Sequence, residues 1–307
     1  MRVLFYGTPA FAVPTLQALR RHHDVVAVVT QPDRPAHRGQ RVTEPPVKQL
    51  ALGAGLPIVQ PPRLRDPGWP EQLREFGAEV AVVVAFGQIL PKAVLDVPVH
   101  GSINVHGSLL PRYRGAAPVQ WAIIRGETTT GITTFQMDPG MDTGPILLSE
   151  VTPIGPDETA GELAERLARL GADVLIETLA RLESIQPVAQ RNEEATLAPR
   201  LKKTDGILLW GRPAAELRNL VRGCNPWPGA VTPAPAGMLT LWRARAVVGQ
   251  VAAAPGTLVT HEGGLGIATG EGLLVPTEVQ PESRRAVSWD EYLRGARLAT
   301  GATFTIP

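Results

Sequence analysis

The residues best suited to chemistry lie between Gly101 and Gly144. Asn104 and His106 stand two apart at the end of a short apolar run, Ser102-Ile103-Asn104-Val105-His106. Successive side chains of a strand point to opposite faces. A strand here therefore projects Asn104 and His106 together, with Ile103 and Val105 on the other side. An amide and an imidazole make poor core, but they can present a donor and an acid–base group to a reacting carbonyl. The next stretch, Ser108-Leu109-Leu110-Pro111-Arg112-Tyr113-Arg114-Gly115, reads as a binding loop punctuated by Pro and Gly and carrying two arginines. Asp138 and Asp142 then flank Pro139-Gly140 in a turn-rich segment. A carboxylate beside His106 would fix its tautomer and favour its protonated form. Spacing does not select between the two aspartates. The competing reading makes His106 a structural histidine and the aspartates turn formers.

These residues need a sheet to position them. Arg2 to Gly7 reads as a buried parallel strand ending in a glycine turn. Thr8 is expected to cap the helix that follows, with Pro9 in its first turn and Val13, Leu16, Ala18 and Leu19 facing inward. Asp24 to Thr30 is a second strand, and Glu79 to Ala85 a continuous apolar run suited to the sheet centre. This order predicts an α/β, Rossmann-like domain with a mostly parallel sheet. Gly7-Thr8-Pro9-Ala10-Phe11 lacks the G-x-G-x-x-G spacing, which argues against a dinucleotide oxidoreductase. Phe11 either lines a substrate pocket or packs the helix. Gln31 to Thr43 is a long polar loop carrying Arg34, Arg38 and Arg41, placed where ligands bind such sheets. Thr159 to Leu182 is a long amphipathic helix with an apolar stripe through Leu163, Leu167, Leu170 and Val174.

Residues 1–186 are expected to form this domain and 187–206, with Pro187 and Pro199, a linker. Arg200, Lys202 and Lys203 make a small basic cluster in it, either simply solvated or placed to meet phosphate. After a helix at 214–222 and a rigid turn at Asn225-Pro226-Trp227-Pro228-Gly229, β-like runs at 238–248, 256–260, 264–269 and 272–279 predict a small barrel over 207–307, with a helix near 288–298.

Length and composition fit two domains: 307 residues, 44% hydrophobic, net charge +1. That balance excludes a generally basic surface, so any nucleic acid must be held by local patches. Only four lysines occur, Lys48, Lys92, Lys202 and Lys203. Cys224 is the one cysteine, which leaves no disulfide and no cysteine-based metal site. The start of the chain runs straight into a strand and no apolar run spans a membrane, so a cytoplasmic protein is expected.

The blocks NVHGSLLPRYRGAAPVQWAI and GETTTGITTFQMDPGMDTGPIL resemble the formyltransferases that use 10-formyltetrahydrofolate, and the resemblance runs from FYGTPAFAVP to NPWPGA. It implies transfer of a formyl group from 10-formyltetrahydrofolate to initiator methionyl-tRNA by a monomer without metal, with the second domain an OB-like barrel that helps hold the tRNA. It implies Asn104, His106 and Asp142 as the catalytic three, Asp142 by its place in MDTG. Folate would be held by Phe86-Gly87-Gln88-Ile89-Leu90, largely through backbone groups, and by Ser108-Leu109-Leu110-Pro111. The tRNA would meet Arg38, with Arg34 and Arg41, and Lys202 and Lys203. A formyltransferase of the same fold acting on a small amine would share the catalytic three, but would need neither the arginine loop nor the second domain. A non-catalytic RNA-binding module would need none of the three.

Overall fold

The computed structural model describes residues 1–36, 41–262 and 264–305. Two compact units divide the chain. The first comprises Met1–Pro118, Thr129–Pro153 and Ala164–Pro199, the second Val119–Thr128, Ile154–Leu163 and Arg200–Pro307. The division does not follow a single cut. Much of the segment expected to be linker, up to Pro199, belongs to the first unit, and two short segments from earlier in the chain belong to the second.

The first unit contains strands β1 (Arg2–Gly7), β2 (Asp24–Val29), β3 (Arg34–Ala36), β4 (Arg41–Thr43), β5 (Ile58–Val59), β6 (Val80–Val84), β7 (Ser102–His106), β8 (Thr129–Gln136) and β9 (Ile146–Pro153). Seven of these form one sheet in the order β5-β2-β1-β6-β7-β8-β9. The first five are parallel, while β8 and β9 run antiparallel to their neighbours. Every residue of β6 is buried, as a central strand covered on both faces requires. Register fixes which side chains share a face: Tyr6 pairs with Val83, Val83 with Asn104, and Asn104 with Phe135. Val105 and Ile132 lie on the opposite face, under helix α6 (Ala160–Ala180). A Cβ added at Gly171 of that helix would stand 2.9 Å from Val105 Cγ1, so the helix seals this side closely. Asn104 and His106 therefore project from the face that α6 does not cover.

Helices α1 (Val13–His22), α2 (Pro46–Gly53), α3 (Trp69–Arg74), α4 (Lys92–Leu95), α5 (Pro118–Ile124) and α6 (Ala160–Ala180) follow the expected order. Thr8 does not cap α1. A 3-10 turn over Ala10–Ala12 precedes that helix, and its N-cap is Pro9. The Thr8 hydroxyl instead donates to the Phe86 carbonyl at 2.8 Å and accepts from the Gln31 amide at 3.3 Å. A long-range partner has won over the local cap, and it ties the C-terminal ends of β1, β2 and β6 together. The expected polar loop contains an antiparallel ribbon, β3 with β4, pairing Arg34 with Thr43 and Ala36 with Arg41. Its base is fastened by Lys48, which contacts Asp33 at 2.5 Å and Glu44 at 3.1 Å, and by Gln60, whose amide donates to Asp33 and to the Gln31 carbonyl.

The second unit holds α7 (Ala214–Gly223), β10 (Ala230–Ala234), β11 (Gly237–Val247), β12 (Leu258–His261), β13 (Gly264–Ala268), β14 (Leu273–Pro281), β15 (Val287–Ser288) and α8 (Trp289–Ala296). The sheet order is β10-β11-β14-β13-β12, with β15 on β14. Residues 301–305 run between the two end strands. Leu258 and Gly256 exchange backbone hydrogen bonds with Ala302, Gly301 and Phe304 on one side, and Thr305 donates to Pro233 on the other. That seam closes the barrel expected from the sequence. Phe304 anchors it, edge-on to Trp210 at 6.1 Å within a core that includes Leu217, Leu241, Leu274 and Trp289. The segment 154–163 is clasped to α7: Arg222 donates to the Gly155 and Glu158 carbonyls, Arg218 binds Pro156 and Asp157, and Gly161 donates to Asn225.

Candidate active site

Strand β7 ends in the sheet interior, and His106 is 6% exposed. Its Nε2 lies 2.9 Å from the Tyr113 carbonyl. A carbonyl can only accept, so Nε2 carries a proton and Nδ1 is the nitrogen left for other work. That Nδ1 is 3.7 Å from Asp142 Oδ2, an electrostatic contact longer than a hydrogen bond. The Phe135 ring stands edge-on to the imidazole, with centroids 6.5 Å apart. Asn104, half-buried on the same face, makes no side-chain hydrogen bond among the described residues, so its amide is free to donate to a bound oxygen.

Of the two aspartates, geometry brings only Asp142 to His106. Asp138 accepts from the Gly140 amide at 3.0 Å and the Thr143 hydroxyl at 2.7 Å, and so closes its own turn. Asp142 is 17% exposed at its side chain, and its Oδ2 also accepts from the Gly115 amide at 2.7 Å. Its backbone has φ +55, left-handed for a residue with a side chain.

The loop after β7 is firmly built. Ser108 donates to the Arg112 carbonyl at 2.6 Å, while Thr133 donates to the Ser108 carbonyl and accepts from the Leu110 amide. Ser108 and Leu110 are therefore buried supports, with Leu109 and Pro111 half-buried beside them. Arg114, one of the two arginines of the expected binding loop, is buried and committed to protein partners. Its guanidinium donates to Gln190 Oε1 at 3.0 and 2.7 Å and to Asn192 Oδ1 at 2.9 Å.

The loop after β6 turns through left-handed Ala85 and Gly87, at φ +46 and +86. Phe86 is buried against Tyr6, its ring edge-on at 5.4 Å, and Leu90 is buried in the same core. The Gln88 amide group is spent on Leu64 and Pro61. Side-chain contact with a ligand from Phe86, Gln88 or Leu90 is thus replaced by inward packing, and the loop offers its backbone and the 87% exposed Ile89. Phe11 sits half-buried in the turn after β1. Arg34 is exposed and donates to Gln31 at 3.0 Å. Arg38 lies outside the described residues; of Arg41 only the backbone, in β4, is described. In the second unit Lys202 and Lys203 are exposed at the start of a 3-10 turn and form no ion pair among the described residues. No group of three His, Cys, Asp or Glu residues suited to a metal ion occurs among the described residues.

A buried imidazole beside a carboxylate, with a free amide two residues away, is an arrangement suited to acyl transfer to an amine. The formyl transferase family model matches residues 1–179, and that of the formyl transferase C-terminal domain matches 200–297. The chain belongs to the formyl transferase family. It is a formyl-transferring enzyme. Methionyl-tRNA formyltransferases resemble it nearly end to end: that of Solibacter usitatus is 52% identical, covering 97% of this chain and 96% of its own, and that of Symbiobacterium thermophilum 46%, covering 100% and 96%. Among solved structures, an N-formyltransferase from Helicobacter canadensis shares the fold with a TM-score of 0.65 at 16% identity, covering 90% of this chain and 98% of its own. A methionyl-tRNA formyltransferase from Clostridium thermocellum does so with 0.58 at 18%, covering 88% and 100%. The sequence could not disclose that Arg114 is structural or that Gln190 reaches the site, because both depend on partners far along the chain. No helix of the described residues is long and apolar enough to cross a membrane.

Proposed function

We propose that this formyltransferase moves the formyl group of 10-formyltetrahydrofolate to the amino group of methionine esterified to initiator tRNA, in the cytoplasm. The observation that carries the reading is the His106–Asp142 pair beside Asn104, in a chain 46–52% identical to methionyl-tRNA formyltransferases over nearly its whole length. The amine attacks the formyl carbon, and the carbonyl oxygen gains charge in a tetrahedral intermediate. The Asn104 amide donates to that oxygen. His106, with Nε2–H engaged by Tyr113, presents Nδ1; when protonated there it gives the stronger, charge-assisted bond. Asp142 accepts the proton the amine loses as the C–N bond forms. The proton then goes to the folate nitrogen as it leaves, and tetrahydrofolate is released. An α-amino group has an ordinary pKa of about 8, so the base need only assist. The loops at 86–90 and 108–111 hold the folate, the first mainly by backbone groups. Arg34, Arg38, Arg41, Lys202 and Lys203 contact tRNA phosphates, and Phe11 borders the acceptor site.

The test is formyl transfer to methionyl initiator tRNA, with elongator methionyl-tRNA and a small amino-sugar nucleotide alongside. Transfer to the initiator alone is expected. Transfer to the small amine with none to tRNA would keep the catalytic three and overturn the substrate.

A further inference from the structure

Segment 188–198 is laid along the catalytic loops as a strap. Val188 exchanges two backbone hydrogen bonds with Ile146 at 2.8 Å. Thr196 accepts from the Tyr113 amide through its hydroxyl and from the Arg114 amide through its carbonyl, and Ala198 pairs with Arg114 and Ala117. Between these anchors Gln190 faces the site. Its Nε2 donates to the Asp142 carbonyl at 2.9 Å and the Gly144 carbonyl at 2.7 Å. Its Oε1 takes two bonds from buried Arg114, so both ends of the amide are fully used and its orientation has no alternative. The contact to Asp142 falls on the residue whose backbone is held in the left-handed region. Such a conformation persists only where surroundings over-determine it. Two bonds do this: Gly115 N–H to the Asp142 carboxylate and Gln190 to its carbonyl.

Resting on the reading of Asp142 as the catalytic carboxylate, we infer that Gln190, locked by Arg114, is a positioning residue that holds Asp142 against His106. Its polar side-chain atoms are spent on Arg114, Asp142 and Gly144. Without its amide donors, Asp142 relaxes from the left-handed conformation and its carboxylate swings from the imidazole.

The inference is tested by formyl transfer to methionyl initiator tRNA with Q190L, Q190E and, as reference, D142N. Q190E keeps an acceptor for Arg114 but has no proton to give the Asp142 and Gly144 carbonyls. Anchored by Arg114, it should still fold, yet lose kcat. Both Gln190 variants are expected to lower kcat roughly 10- to 100-fold, the scale of a small misplacement of a reacting group. KM for both substrates should stay within about threefold, because the positioning acts on the chemical step. Q190E with the parent's kcat would make the clasp merely structural and overturn the inference, as would a loss confined to KM. Full activity in D142N would instead remove Asp142 from catalysis, and the inference with it.

Discussion

At the residue scale, His106→Ala and Asp142→Ala should each abolish transfer while tRNA affinity, measured by direct titration, stays near the parent's. An equal loss of binding would make both residues structural. The histidine and asparagine were legible in sequence because the period-2 pattern of a strand directs them to one face. The choice of aspartate was not legible from spacing, since Asp138 and Asp142 sit in the same turn and only folding spends the first on Thr143 and Gly140. Cys224 shows the opposite relation. Burial pushes its thiol up to about 12, so almost no thiolate forms at neutral pH. Native protein should resist iodoacetamide for hours and react promptly once unfolded; rapid alkylation of the folded enzyme would contradict its placement in the barrel core.

At the element scale, the start of α6 offers a measurable linkage. Thr159 and Glu162 form a capping box: the Thr159 amide and hydroxyl both donate to the Glu162 carboxylate at 2.8 Å, and the Glu162 amide donates back to the Thr159 hydroxyl at 3.3 Å. The Thr159 amide, then Arg243, then the Thr159 hydroxyl lower the Glu162 pKa to about 2. A depressed folded pKa adds stability above the unfolded value, near 4.3, and the contribution is lost as pH falls toward about 2. Glu162→Gln should lower the melting temperature slightly at pH 7, modestly because the carboxylate is half exposed to solvent. The gap should close as the pH approaches 2. A gap that is constant with pH would show the charge is not involved. The helix itself was legible in the apolar stripe through Leu163, Leu167, Leu170 and Val174. The ribbon β3–β4 was not, because Arg, Pro and Gly in that stretch give no alternating apolar pattern. Strand β10 was also missed, being short and containing Pro233. Residues 188–198 read as linker because their partners lie up to 84 positions away, and composition carries no trace of them.

At the scale of the whole molecule, a net charge of +1 places RNA affinity in a few local cations. The double variant K202A/K203A should weaken tRNA binding and flatten the salt dependence by roughly one to two contacts' worth, read as the slope of log affinity against log salt. An unchanged slope would return the pair to plain solvation. The two-domain layout was legible from hydrophobic periodicity and turn spacing. The assignment of 154–163 to the second unit was not, since it depends on Arg218, Arg222 and Gly161 finding partners across the chain.

The barrel seam at 301–305 also sets an order of events on the ribosome. The first unit has all its segments once Pro199 emerges, whereas the second lacks its closing strand until the chain's last hundred or so residues are made. At about 5–20 residues per second that interval lasts roughly 5–20 s. During it Val119, Ala122 and Ile123, buried in the finished protein, are already synthesised and wait for partners. Until the barrel closes, the nascent chain therefore leaves these apolar side chains uncovered, the kind of surface that chaperones shield.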